Sequence, residues 1–195
     1  MKILSVNAGS SSLKFQLYEM PEEKVLISGL MERIGVGNSF YTIKVNGEKI
    51  KKEVELNNHE EAFETLVKEL EENNVVESLD EIEGIGHRVV QGGDYFDKTV
   101  VIDDEVLAKI DELSSLAPLH NPAAVTGIKA AKDVFPNAVQ TAVFDTAFHQ
   151  TMPKENFLYA LPISWYTDLK VRRYGAHGCF THYLFCGRKR CHHRL

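Results

Sequence analysis

An α/β fold is predicted for this 195-residue chain. Three observations carry that prediction. Alternating apolar residues dominate up to residue 56, helical spacings take over from residue 58 to 135, and apolar runs of strand length separate the helices. Strands first, then helix and strand in alternation, is the order of an α/β architecture.

Residues 2–7 are mostly apolar and suit a buried strand. Leu13, Phe15 and Leu17 alternate with Lys14, Gln16 and Tyr18, a period of two that argues for a second strand. Val25 to Gly29 reads as a third. Residues 39–56 hold one or two more, hinged on Asn46-Gly47, a dipeptide that hairpins favour. Asn58 followed by Glu61 resembles a capping box, with Asn in place of Ser or Thr. Ala62, Phe63, Leu66, Val67 and Leu70 then form one helical face. Ile82 to Val90 is a short apolar run of strand type. Asp103 can cap a helix whose inner face is Val106, Leu107, Ile110 and Leu113. Asn121-Pro122 places a cap and then proline at the first helical position. Ala124, Val125, Ile128, Ala131 and Phe135 follow at helical spacing, and residues 139–144 are again strand-like. There is no internal repeat, linker or low-complexity tract.

Apolar residues make up 44% of the chain, enough for a sizeable core, and charged residues 26%, ordinary for a soluble protein. No run of about 18 apolar residues offers a membrane span. The apolar stretch at the N-terminus ends at Asn7, too short for a signal-peptide core, so a cytoplasmic protein is expected. The net charge of −6 hides an asymmetry. Asp168 is the last acidic residue. Residues 1–168 carry 15 basic and 28 acidic groups, and the remainder carries seven basic groups, all three cysteines and half of the eight histidines.

Five segments carry chemistry. In Asn7-Ala8-Gly9-Ser10-Ser11-Ser12-Leu13-Lys14, Gly9 permits a tight turn, Ser10 and Ser12 supply hydroxyls, and Lys14 supplies charge. Phosphate sites need those elements together with converging backbone N–H groups. A serine-rich hairpin turn kept for solubility reads equally well. A Walker A loop is excluded, because a helix follows such a loop and a strand follows this one. Phosphate held on a turn between the first two strands is the arrangement of the actin-like ATPase and sugar-kinase fold.

Gly86-His87-Arg88-Val89-Val90-Gln91-Gly92-Gly93 sets an arginine in an apolar run, costly to bury unless paired. Its planar fork suits a carboxylate or phosphate, or else a structural salt bridge. Leu116 to Pro122 presents His120 just before a helix N-terminus, where anions are favoured. A surface histidine is the alternative. Phe144 to Gln150 places Asp145 at the C-terminal end of a strand, where α/β proteins hold ligands, or where a helix cap would sit. Arg172-Arg173-Tyr174-Gly175-Ala176-His177-Gly178 sets His177 between two glycines and near two arginines.

In their order these five motifs resemble acetate kinases of the acetokinase family, from Met1 to about Gly178. The resemblance implies an actin-like ATPase (ribonuclease H-like) fold in the acetate and sugar kinase, Hsp70 and actin superfamily. It also implies reversible, in-line transfer of the γ-phosphoryl of ATP to acetate, giving acetyl phosphate and ADP with Mg²⁺, and a homodimer. By motif, Asn7 would contact the transferring phosphoryl group and lie near the metal, and Ser10, Ser12 and Lys14 would shape the phosphate site. Arg88 would hold the carboxylate or acetyl phosphate, His120 would support phosphate binding, and Asp145 would be the acidic catalytic residue that positions substrate and arginine. His177 would donate to the equatorial oxygens. Val90, Leu119 and Ala176 would wall the methyl pocket.

Two departures from the family stand out. Ala176 replaces a common Phe, which widens that pocket and suggests propionate as a secondary substrate. After Gly178 the chain reads Cys179-Phe180-Thr181-His182, unlike the family, and a reading-frame shift would explain the change of character. Residues 1–178 are thus expected to form the substrate- and phosphate-binding domain, with residues 179–195 a basic Cys/His tail and the nucleotide-binding domain absent. The alternative to an active kinase is then a remnant that binds substrate or phosphate without turnover. An ATP-driven scaffold of the actin or Hsp70 kind is disfavoured by the Arg88 and His120 motifs. Zinc ligation by Cys179, Cys186, Cys191, His192 and His193 lacks the close pairs of structural sites. The basic run gives only weak, salt-dependent attraction to nucleic acid, so no nucleic-acid partner and no membrane is expected.

Overall fold

The computed structural model describes residues 1–178; the tail expectations, including the zinc reading, lie outside the described residues. An eight-stranded mixed sheet forms the backbone of the fold, in the order β5-β4-β3-β2-β1-β6-β8-β7. Its strands are β1 (Lys2–Gly9), β2 (Ser12–Glu19), β3 (Lys24–Glu32), β4 (Phe40–Val45), β5 (Glu48–Glu53), β6 (Ile82–Val89), β7 (Val100–Val101) and β8 (Val139–Phe144). The first five strands pair antiparallel in a meander, while β1, β6 and β8 run parallel. The sheet core β3-β2-β1-β6-β8 is that of the actin-like ATPases, so the predicted fold class is borne out.

The helices are α1 (His59–Glu72), α2 (Asp104–Glu112) and α3 (Asn121–Val134), followed by two single turns, α4 (Lys154–Phe157) and α5 (Ser164–Thr167). Leu4, Val6, Ile85, Val89, Ala142 and Phe144 alternate onto one buried sheet face, as a period of two requires. Helix α3 lies against β1 and β6 on the chain's interior, with α1 and α2 packed beside it. One core joins β1–β4 to α1, and a second joins β6 and β8 to α2 and α3.

Local signals mostly hold. Asn46 and Gly47 turn with φ of 53° and 83°, the left-handed pair of a tight hairpin. Asp103 caps α2 by accepting from the Val106 N–H at 2.8 Å. Two readings are corrected. Asn58 does cap α1, but Glu61 closes onto the Asn57 N–H (2.7 Å), one residue earlier than a capping box. At α3 the N-cap is His120 and not Asn121, whose side chain turns inward, with Pro122 following it in the first turn.

Glu69 lies on the inner face of α1 and is buried. Its carboxylate accepts from the Tyr41 hydroxyl, from Lys52 Nζ at 2.7 Å and from Asn73 Nδ2 at 3.1 Å. The β4–β5 hairpin is thereby pinned to α1. Burial pushes the Glu69 carboxyl up, but the bonds from Lys52 and Tyr41 outweigh it and leave it below its usual 4.5. Burial, then the bond to Glu69, pushes the Tyr41 hydroxyl up to about 12. A carboxyl lowered in the folded state stabilises above its unfolded pKa and loses that contribution as pH falls through the folded value. In Lys52→Met the largest lowering influence on Glu69 is gone and the bonds from Tyr41 and Asn73 remain, so its carboxyl rises and less of this pH-dependent stability is left. The stability difference between wild type and Lys52→Met, about 1–2 kcal/mol near pH 7 for this partly exposed lysine, is expected to shrink towards about pH 4. Urea unfolding at both pH values measures it, and a difference that grows on acidification would refute the assignment.

Candidate functional site

The parallel strands β1, β6 and β8 end on the same edge of the sheet at Gly9, Val89 and Phe144. Helix α3 returns antiparallel to them, so its N-terminus arrives at that edge too. Chain topology therefore gathers four of the five motifs at one place.

Arg88 and Asp145 form the centre. Arg88 Nε donates to Asp145 Oδ1 at 3.0 Å and Nη2 to Oδ2 at 2.6 Å, a bidentate fork. The Asp145 side chain is 2% exposed and that of Arg88 37%, so the pair runs from the interior to the surface. Asp145 is thus no helix cap; its role is to fix the guanidinium in one plane. His177 joins them from the last motif, with Nδ1 4.0 Å from Asp145 Oδ2 and its ring largely exposed. The Gly178 N–H donates to the Asp145 carbonyl at 2.7 Å, and a Cβ at Gly178 would lie 2.2 Å from that oxygen. Only glycine permits that approach, which brings His177 to the site. His177 itself adopts φ of 54°, a conformation unusual for a residue with a side chain.

Beneath them, His87 points to the opposite sheet face and is buried. Its Nε2 donates to Gln140 Oε1 at 2.8 Å, bridging β6 to β8. Burial, countered only in part by that bond, holds its imidazole down at about 4, so it is neutral scaffolding.

The turn after β1 stands on the neighbouring strand pair. Asn7 faces Lys14 across β1 and β2, and Gly9 faces Ser12. Asn7 and Arg88 each lie one residue beyond the paired Val6 and His87, on adjacent parallel strands. Ser10 is exposed, Ser12 half-buried and Lys14 exposed, so hydroxyls and ammonium are presented to solvent.

The methyl-pocket residues are less unified. Val90 lies two residues beyond Arg88 and is half-buried. Leu119 is 77% exposed at the start of α3, beside exposed His120. The Ala176 carbonyl lies 3.1 Å from His149 Nε2.

Sequence reasoning missed the residues that shape this edge. Asn121 is fully buried; its Nδ2 donates to the carbonyls of Gln91 (3.0 Å) and Ile110 (3.2 Å), and its Oδ1 accepts from the Gln91 N–H (3.1 Å). Thr146 Oγ1 accepts from the Gly92 N–H at 3.0 Å, and Gln150 Nε2 donates to the Gly93 carbonyl at 2.6 Å. Together they fix the loop that follows Arg88 and Val90. Arg172 serves packing, its guanidinium stacked 3.8 Å above the Phe157 ring.

A family model described as the acetokinase family matches residues 2–194. The chain belongs to that family. The family match continues beyond Gly178, where the motifs end, into residues outside those described. The acetate kinase of Bacillus mycoides is 58% identical over 183 residues, which is 94% of this chain and 46% of that protein. The acetate kinase of Macrococcus caseolyticus is 54% identical over 177 residues, or 91% and 44%. Among solved structures, Porphyromonas gingivalis acetate kinase superposes with a TM-score of 0.89 at 42% identity, over 94% of this chain and 47% of its own. A propionate kinase from Francisella tularensis gives 0.88 at 44% identity, over the same shares. This acetokinase-family chain spans about half the length of the curated relatives it matches. Among its described residues no helix is long and apolar enough to cross a membrane.

Proposed function

We propose that this chain carries the carboxylate- and phosphoryl-handling part of an acetate kinase, acting in the reversible transfer of a phosphoryl group from ATP to acetate. The observation that carries the reading is the Arg88–Asp145 fork with His177 beside it, at the sheet edge where the serine turn ends β1. A half-exposed guanidinium held in plane by a buried carboxylate is preorganised for a carboxylate or acyl phosphate. Phosphoryl transfer asks the protein chiefly for positioning and charge stabilisation. In this reading Arg88 binds the acetate carboxylate, Asp145 orients Arg88, and His177 donates to the equatorial oxygens of the moving group. Asn7, Ser10, Ser12 and Lys14 hold its phosphate neighbours, and His120 adds a donor at the N-terminus of α3. Val90, Leu119 and Ala176 wall the acetyl methyl group; the small Ala176 leaves room for propionate as a second substrate. The active assembly is a homodimer and works in the cytoplasm.

A divalent metal fits the donors present. Among the described residues no cluster of three His, Cys, Asp or Glu forms a metal cage. Asn7 with the Ser10 and Ser12 hydroxyls instead offers a few hard oxygens, which suits Mg²⁺ held mainly by phosphates and water. When bound there, such a metal would neutralise charge on the phosphates.

Isothermal titration of the full chain with acetyl phosphate, beside a hydroxamate assay with acetate, ATP and Mg²⁺, tests the proposal. Binding that is lost in Asp145→Ala, accompanied by acetyl phosphate formation, is expected. Absence of both binding and turnover would overturn it. Binding without turnover would leave the carboxylate site standing and refute catalysis by this chain.

A further inference from the structure

His59 is the buried titratable residue that none of the roles above uses. It is the first residue of α1 and is 7% exposed. Its Nε2 lies 2.8 Å from the carbonyl oxygen of Gly9, fifty residues away in the chain. A carbonyl only accepts, so Nε2 carries the proton and donates. The first turn of α1 that aims this ring is itself fixed, by the Asn58 side chain on the Glu61 N–H (2.9 Å) and by Glu61 on the Asn57 N–H (2.7 Å).

Gly9 is where β1 enters the Ser10-Ser11 turn. The Gly9 carbonyl and the Ser10 N–H belong to one planar trans peptide, so they point to opposite sides. Holding the carbonyl towards α1 turns the Ser10 N–H away from the helix. The next carbonyl but one is also tied down, since Ser11 O accepts from the Ile34 N–H at 3.0 Å. With two carbonyls of the turn held by other donors, neither is left to repel an anion, which needs converging donors and no nearby carbonyl oxygen.

We infer that His59 is a positioning residue of the phosphate turn: its bond to Gly9 orients the Gly9–Ser12 segment for a phosphoryl ligand. This rests on the reading of that turn as a phosphate site. The residue touches no substrate and acts only through the peptide it holds.

The test uses the ¹⁵N-labelled full chain, with inorganic phosphate as the probe, in wild type, His59→Ala and His59→Gln. The Gln amide places a donor near the position of Nε2. In His59→Ala the order parameters of the Ser10–Ser12 amides are expected to fall towards about 0.6, while those of β1 and β6 stay near about 0.85. Phosphate affinity is expected to drop about three- to tenfold, the worth of one hydrogen bond. His59→Gln restores both. Turn amides as ordered and phosphate affinity as high in His59→Ala as in wild type would overturn the inference, as would failure of Gln to rescue where Ala loses. If phosphate leaves the turn amides of the wild type unmoved, the phosphate reading of the turn fails. The order parameters still decide whether His59 holds the turn.

Discussion

Arg88→Ala is expected to cost about 2–4 kcal/mol of stability, because it strands a buried carboxylate without its partner. Asp145 is 2% exposed and receives both arms of the guanidinium fork. The half-exposed position of Arg88 places the loss towards the lower end of that range. Function is lost as well, since a charge-assisted bond to a ligand oxyanion contributes about 1.5–3 kcal/mol, or roughly ten- to a hundredfold in acetyl phosphate affinity. Arg88→Lys separates the two effects. Lysine keeps the charge and spares stability, but it cannot reproduce the planar fork, so affinity still falls. Arg88→Ala combined with Asp145→Asn recovers part of the stability by removing the stranded charge, and recovers no binding. A double-mutant cycle by urea unfolding measures that coupling. Near-additive single effects would show that the fork is not the unit argued here.

Arg88 also shows what a linear sequence discloses. An arginine in the run Gly86 to Val90 announces that it needs a partner, because the burial is otherwise too costly. Nothing in spacing alone points to Asp145, 57 residues on; parallel pairing of β6 with β8 brings them together. The sheet was legible for the same reason that its partners were not. The apolar run of β1 and the alternation of β2 are local signals, and Asn46-Gly47 is a local turn. By contrast β7 is two residues long and too short to show a period, while β3 runs on to Glu32 past Gly29, where no side-chain pattern marks the continuation. Nothing in the local sequence marks Glu69 or His59 for burial. They are buried because Lys52 and Tyr41 come across from a hairpin, and because the Gly9 carbonyl comes across from β1. Buried polar residues whose partners are distant in the chain leave no signature in composition. Gly178 is different in kind: its close approach to Asp145 is geometric, and the glycine in the last motif is its trace.

Asn121→Ala is expected to be the most damaging change that touches no substrate. As a helix cap it would contribute about 1 kcal/mol through a single bond near the surface. Instead it is fully buried and closes three bonds, two of them to Gln91 and one to Ile110. Truncation leaves a donor and two acceptors in an apolar setting, each costing about 1–3 kcal/mol when unmade. Some relax towards water through the partly exposed loop, which sets the net at about 3 kcal/mol, read as a shift in urea midpoint. Asn121→Asp discriminates between packing and bonding. It preserves shape and the acceptor for the Gln91 N–H, but it loses both donors and buries a charge with no cation among its bonded partners. Asp is therefore expected to be no better than Ala, whereas a space-filling role would make it nearly silent. The consequence for the site follows from the connection of Gln91 to Val90 and Arg88. Once freed from Asn121, the loop is still held by Thr146 on Gly92, by Gln150 on Gly93 and by the Gln91 side chain on the Gly93 N–H. Acetyl phosphate binding should then weaken while the Arg88–Asp145 fork remains intact. A variant that loses stability but binds acetyl phosphate like the wild type would show that the loop needs no fixing, and that Asn121 serves the fold alone.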